Sequence, residues 1–359
     1  QVAAEGMRGV DGYESHLRLL SGMVLLRHGQ LPEAIVEFGC AREHPDTRAL
    51  AYALSGEALF KLGQFKDAQR ILATAIQLDP AQTDAHRWLA ALYYDTGAMN
   101  HAIGHLRLVA EQAPADPRPH RLIGLIHKDF EEYSKAIDAY RESYKRDPEQ
   151  PDREALLLEL AECLVKQRHH SEALETLDDC PRSAQALWLR AKCCYDLGDR
   201  ADASKLVDEA IVLDAEHLEA MHLKGMLELE AGDAASAVDV LLKTVERYPK
   251  EWRPRYTLAR AYRQLGETDK AAEHMKAMEE LRELRYQFTK LHAEAIKDTE
   301  NAELRYRLGV MAGELGRPLL AIGWFESALA LDPEHKKARE ALQGLTTQSS
   351  KPPPVDDGG

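Results

Sequence analysis

The stretch ALAYALSGEALFKLGQFKDAQRILATAIQLDP, Ala49 to Pro80, reads as two helices joined by a tight turn. Ahead of the turn, Tyr52, Ser55, Gly56 and Leu59 recur at three- and four-residue steps; after it, Phe65, Ala68, Leu72 and Ala75 do the same. That is the period of an amphipathic helix with one buried stripe. Lys61-Leu62-Gly63-Gln64 separates the halves, and Gly63 stands where a left-handed residue ends a helix at least cost. Asp79-Pro80 closes the second half, because proline cannot continue a helix. Small residues at Gly56 and Ala68 predict a close approach of the two helices. Such a pair leaves both outer faces needing a neighbour.

The neighbours are copies of the same unit. Equivalent turns fall at Gly29, Gly63, Gly97, Glu131, Arg168, Gly198, Gly232, Gly266 and Gly316. They lie 34 residues apart, except for 37 and 30 on either side of Arg168 and 50 before Gly316. So regular a period predicts hairpins stacked into a solenoid. Around the turns the residues resemble the tetratricopeptide repeat: Gly22, Gly29, Ala34, Phe38 and Ala41 in one copy, and Gly309, Gly316, Ala321, Phe325, Ala328 and Pro333 in another. The resemblance covers most of the chain. It implies an all-α fold, a right-handed superhelical α-solenoid of about nine hairpins with a capping helix, and it implies protein binding as the activity.

Composition narrows the function. Hydrophobic residues make up 45% of the chain and aromatics only 6%, so Ala and Leu build the core. With 60 acidic against 46 basic residues the formal charge is −14, which argues against a general binder of nucleic acid or anionic membrane. No apolar run reaches the eighteen or so residues of a membrane span. The five cysteines, Cys40, Cys163, Cys180, Cys193 and Cys194, match no zinc or redox spacing. They read as free thiols, which leans towards a reducing, cytoplasmic setting. Gln1 in place of Met leaves room for a preceding leader or anchor, and with it a periplasmic or membrane-anchored location.

Taken in order, residues 1–12 lack apolar rhythm and form a flexible N-terminal segment. The solenoid occupies 13–345. Its fifth repeat, within 149–183, is irregular: Glu149-Gln150-Pro151 lengthens the entry, and Asp178-Asp179-Cys180-Pro181 cuts the second helix short. A weaker joint is expected there. Thr268 to Lys297 holds neither Pro nor Gly and predicts one extended helix; 334–345 predicts a charged capping helix; 346–359 has the composition of a disordered tail.

No nucleotide loop, nucleophile elbow or metalloprotease helix is present, so no catalytic residue, cofactor or metal site is assigned. His101 and His105 share a helix face but lack further ligands, and a surface pair is the expected reading. In tetratricopeptide arrays the first helices line a groove for partner segments, at 3, 4, 3 spacing. That resemblance selects Arg87 and Tyr94 (with Asp84 and Ala91); Arg118, Arg121 and Lys128; Trp188, Lys192 and Tyr195; and Arg253, Tyr256, Arg260 and Arg263. Arg, Trp and Tyr are the residue types enriched at binding hot spots. A basic, aromatic stripe in an acidic protein points to a protein or peptide partner with an acidic segment. The competing expectation is that Arg87 and Arg121 are paired to nearby carboxylates. The set by which some family members clamp a C-terminal carboxylate is not reproduced, since Met23, Glu57 and Ala91 stand in its place. A second possibility is an assembly subunit that docks or forms a homo-oligomer through Leu281, Leu284, Phe288 and Leu291 of the extended helix. A third is an accessory part of an envelope or secretion complex.

Overall fold

The computed structural model describes residues 2–96, 98–298 and 300–349, with side chains described within 13–345. Gly97, expected in a turn, Thr299 and the tail 350–359 lie outside the described residues. Nineteen α-helices and no strand occur among the described residues. They pair into the expected hairpins, and the protein is an all-α repeat fold. Two compact units result, one formed by residues 1–114 with 291–359 and the other by 115–290.

In the first unit, α1 (Val2–Arg27) pairs with α2 (Leu31–Ala41), α3 (Pro45–Lys61) with α4 (Phe65–Leu78), and α5 (Thr83–Asp95) with α6 (Met99–Gln112). α1 begins at Val2, so the helix includes residues 2–12, where no proline interrupts it. The last hairpin, α17 (Ala302–Glu314) and α18 (Pro318–Leu331), and the cap α19 (Lys336–Ser349) belong to the same unit. The cap runs past its expected end at Leu345. Lys66 at the start of α4 donates to the Leu331 carbonyl at 2.8 Å, an ammonium set on the C-terminus of α18, where helix carbonyls lack partners.

The second unit contains α7 (Arg118–Asp129), α8 (Tyr133–Arg146), α9 (Arg153–Lys166), α10 (His170–Asp178), α11 (Ala184–Leu197), α12 (Arg200–Leu213), α13 (Leu218–Glu230), α14 (Ala234–Arg247) and α15 (Trp252–Gln264). α16 spans Thr268–Lys297 without interruption, as its composition predicts; its residues from Leu291 belong to the first unit.

Local chemistry explains the repeat. At the Gly63 turn, φ is +73° and the amide of Gln64 reaches back to the Leu59 carbonyl at 2.9 Å, closing the helix end. Glu131 and Arg168 adopt the same left-handed conformation, at φ 58° and 63°, so the turn geometry persists where glycine does not. After α4, α8, α12 and α18, an aspartate (Asp79, Asp147, Asp214, Asp332) accepts from the amide two residues on, turning the chain into the next hairpin. Within hairpins, a glycine faces a large side chain sixteen residues later: a β-carbon on Gly56 would stand 2.4 Å from Leu72 Cγ. Gly22, Gly124, Gly225 and Gly309 repeat that arrangement. Ala68 is wholly buried beside it.

The fifth hairpin is shortened as expected, α10 having nine residues. The expected weak joint is not seen in the packing. Tyr140 of α8, Leu160 and Leu164 of α9, Leu177 of α10 and Leu189 of α11 share one continuous core. Gln150, from the inserted residues, is buried and donates to the Asp147 carbonyl at 2.9 Å, which fastens the longer entry down.

Candidate functional site

Most of the expected basic stripe proves to be internally neutralised. Arg121 on α7 forms ion pairs with Asp152 and with Glu159 of α9, the latter through two hydrogen bonds of 3.2 and 3.1 Å. Lys128 meets Glu162 at 2.6 Å, and Lys192 is held by Asp196. Arg118 lies on Asp116 at 2.8 Å, and Arg87 on Asp84 at 3.2 Å. Asp84 and Asp196 share a helix with their cations and Asp116 just precedes α7, whereas Asp152, Glu159 and Glu162 come from α9 and its entry, so Arg121 and Lys128 tie neighbouring first helices together. Such pairs leave little net charge for a partner.

The aromatic positions divide similarly. Trp188 of α11 is half-buried, packed into the cores between hairpins, and its ring lies 5.8 Å from that of His217. Tyr195 donates its hydroxyl to Glu230 and is covered by the Arg200 guanidinium at 4.0 Å; burial, followed by that hydrogen bond, pushes its hydroxyl up to about 12. Tyr94 is half-buried.

The face of α15 differs. Its first-helix partners Pro254, Leu258 and Ala261 are buried, which turns Arg253, Tyr256, Arg260 and Arg263 outwards at the expected 3, 4, 3 spacing. Among the described residues, none of these three arginines lies within ion-pair reach of a carboxylate. Two of them contact aromatic rings instead: Arg260 lies 6.0 Å from the Tyr256 ring, and Arg253 5.6 Å from Trp252. Arg282 of α16 approaches the same Trp252 ring at 5.7 Å. Nearby, burial and then the charges of Arg253 and Lys192 hold His222 down at about 4, so it adds no charge at neutral pH. Its Nε2 lies 3.0 Å from the Thr257 hydroxyl. Three guanidinium groups, of Arg253, Arg260 and Arg282, thus lie against two aromatic rings, with Arg263 exposed on the same helix; guanidinium groups can take carboxylates by paired hydrogen bonds. Sequence spacing found α15; the long-range arrival of Arg282 has no sequence signature.

The seam on α16 is partly closed. Leu291 and Ala295 are buried, and Leu281, Leu284 and Phe288 are half-buried. His105, one of the histidine pair, is engaged elsewhere: its Nδ1 lies 2.8 Å from Nδ1 of His86, and its ring stacks on Tyr93 at 5.5 Å. Among the described residues, no group of three His, Cys, Asp or Glu is placed to hold a metal, and no helix is long and apolar enough to cross a membrane. Cys163 and Cys193 are buried free thiols, pushed up by burial to about 12 and 11.

Profiles of known families match along the chain: the tetratricopeptide repeat at residues 59–126 and 222–284, and subunit 3 of the anaphase-promoting complex at 129–210. The chain belongs to the tetratricopeptide-repeat family. Tetratricopeptide proteins are generally non-catalytic scaffolds for protein–protein interaction. Similar proteins include the human RANBP2-like and GRIP domain-containing protein 8, 30% identical over 28% of this chain and 6% of the relative. The Glycine max Hsp70-Hsp90 organizing protein 1 is 30% identical over 26% of this chain and 16% of its own length. The Gallus gallus DnaJ homolog subfamily C member 3 is 26% identical over 58% and 45%. The chain thus spans a small part of the first two relatives and under half of the third. Among solved structures, the Cut9–Hcn1 hetero-tetramer of APC/C is 16% identical, covering 82% of this chain and 55% of the other, with a TM-score of 0.47. Pseudomonas aeruginosa pilF is 19% identical, covering 59% and 96%, with a TM-score of 0.47. Glu57, which stands where a clamp residue would be wanted, is in structural use, accepting from Trp88 Nε1 at 3.1 Å and from Lys61 at 2.6 Å.

Proposed function

We propose that this chain is a non-enzymatic adaptor that binds an acidic segment of a protein partner on α15. The observation that carries the reading is the contrast in pairing. Arg121, Lys128 and Lys192 already face carboxylates, whereas Arg253, Arg260 and Arg263 are exposed and face none among the described residues. Tyr256, 41% exposed, offers a rigid apolar surface between them. The groove expected from residues of four hairpins is thereby narrowed to one helix and its Trp252–Arg282 edge. The alternative, docking through Leu281, Leu284, Phe288 and Leu291, is weakened by the burial of Leu291.

The test is binding of fluorescent peptides with clustered Asp and Glu, against sequence-scrambled neutral peptides, measured by anisotropy. Reversing Arg253, Arg260 and Arg263 to Glu should abolish binding while leaving helicity and melting unchanged. Affinity should fall as salt is added, because the pairs formed would be partly solvated. Binding indifferent to both the reversals and the salt would place the partner on another surface.

A further inference from the structure

The four residues that α15 turns outwards form a line with a measurable pitch. Relative to Arg253, the directions of Tyr256, Arg260 and Arg263 around the helix fall within one wedge of about 80°. At about 1.5 Å per residue, Tyr256 lies about 4.5 Å along the axis from Arg253, Arg260 about 10.5 Å and Arg263 about 15 Å. Rings steady two of the guanidinium groups, since Arg253 lies 5.6 Å from Trp252 and Arg260 6.0 Å from Tyr256. Arg282 reaches the same Trp252 ring from α16 at 5.7 Å and is exposed. One end of the line thus carries Arg253 and Arg282, the other carries Arg260 and Arg263, and the exposed Tyr256 ring stands between.

The pattern does not continue sideways. α13 packs beside α15, and 34 residues before the line it holds Glu219, His222, Met226 and Leu229. Glu219 is acidic, Leu229 is buried, and His222 carries no charge at neutral pH. A carboxylate that leaves α15 for α13 therefore loses its cations, whereas one displaced along α15 meets another pair. We infer that the partner segment lies along α15 as an extended chain with two carboxylate side chains four residues apart. The first sits at Arg253 and Arg282, the second at Arg260 and Arg263, and an apolar side chain midway covers Tyr256. This rests on the α15 reading above and adds its register.

Length and parity select the spacing. An extended chain advances about 3.3 Å per residue, and alternate side chains point to one side. Four residues cover about 13 Å and return the second carboxylate to the helix-facing side, where it falls between Arg260 and Arg263. The residue midway, at about 6.6 Å, faces the same side near Tyr256. Spacings of three or five turn the second carboxylate away, and a spacing of two stops about 4 Å short of Arg260. A helical segment would need about ten residues to run the line, fewer than the roughly twelve at which an isolated helix begins to hold. Carboxylates suit these cations because a guanidinium takes both their oxygens by paired hydrogen bonds.

The experiment is fluorescence anisotropy with the whole chain and a series of serine-based peptides. Each carries a Glu, a Leu two residues later, and a second Glu placed three, four, five or seven residues after the first. The four-residue spacing should bind tightest, with about two- to fivefold weaker binding at three and five, the worth of one partly solvated ion pair. Arg282→Ala should weaken the four-spaced peptide by a similar factor. Replacing the peptide's Leu by Ser should weaken it as well, and Tyr256→Ala should erase that difference. Equal affinity at three, four and five would overturn the register, as would an optimum at seven, the mark of a helical partner. Arg282→Ala without effect, or a Leu preference that survives Tyr256→Ala, would overturn it too. In all these cases reversing Arg253, Arg260 and Arg263 to Glu still abolishes binding if the α15 reading holds. Binding that survives the reversal, or no binding by any of the peptides, would remove that reading and the register with it.

Discussion

Gly124 of α7 lies against the ring of Tyr140 on α8: a β-carbon there would stand 2.6 Å from both Cδ1 and Cε1. Tyr140 is fully buried in the core that joins three hairpins, so its ring has nowhere to retreat. Gly124→Ala should therefore cost about 1–3 kcal/mol by overpacking. Gly104→Ala, inside α6 with nothing within 4 Å, should gain about 0.5–1 kcal/mol from the unfolded chain's lost freedom. The Tyr140 hydroxyl makes no hydrogen bond within the described protein, and the corresponding residues facing Gly22 and Gly309 are Phe38 and Phe325. Tyr140→Phe should accordingly be neutral or stabilising. Urea melts of the three variants decide each sign; a Gly124→Ala protein as stable as wild type would show that α7 and α8 are not so close.

Glu131 and Arg168 carry the turn that glycine makes elsewhere, with φ at 58° and 63°. An L-residue pays about 1–2 kcal/mol for that conformation, and glycine returns part of the gain through its freer unfolded state. Glu131→Gly and Arg168→Gly should each stabilise by roughly 0.5–1 kcal/mol. Gly63→Ala should do the reverse. Chemical denaturation at neutral pH is sufficient, and destabilisation by both glycine variants would contradict the turn geometry.

The His86–His105 contact predicts a pH dependence. With Nδ1 atoms 2.8 Å apart, one ring donates and the other accepts, so the pair cannot hold both rings protonated. Burial, and then the charges of His86 and His101, bring His105 down to about 4. A histidine lowered on folding binds its proton more tightly in the unfolded chain, so stability is full above about 6.5 and is lost as pH falls towards 4. Comparing wild type with His105→Phe from pH 8 to 4 isolates this contribution: the melting-temperature difference should shift in favour of the variant as pH falls. A pH-independent difference would mean that the pair does not titrate in this range.

The repeat was legible in the sequence because it rests on local rules. Gly63, Asp79-Pro80 and the apolar period of Tyr52 to Ala75 each act within a few residues, and α16 follows from helix propensity alone. Even the non-glycine turns at Glu131 and Arg168 followed from the period. The stripe on α15 was legible for the same reason: 3, 4, 3 spacing fixes which side chains share a helix face. What spacing does not contain is the partner arriving from elsewhere. Arg121 and Arg253 both come from the expected stripe, yet the fold delivers Asp152 and Glu159 to the first and, among the described residues, no carboxylate to the second. His105 gained His86 as a neighbour, and Leu291 went under cover. Secondary structure is set by interactions a turn apart, whereas charge neutralisation and burial depend on which distant side chains the packed hairpins bring within a few ångströms.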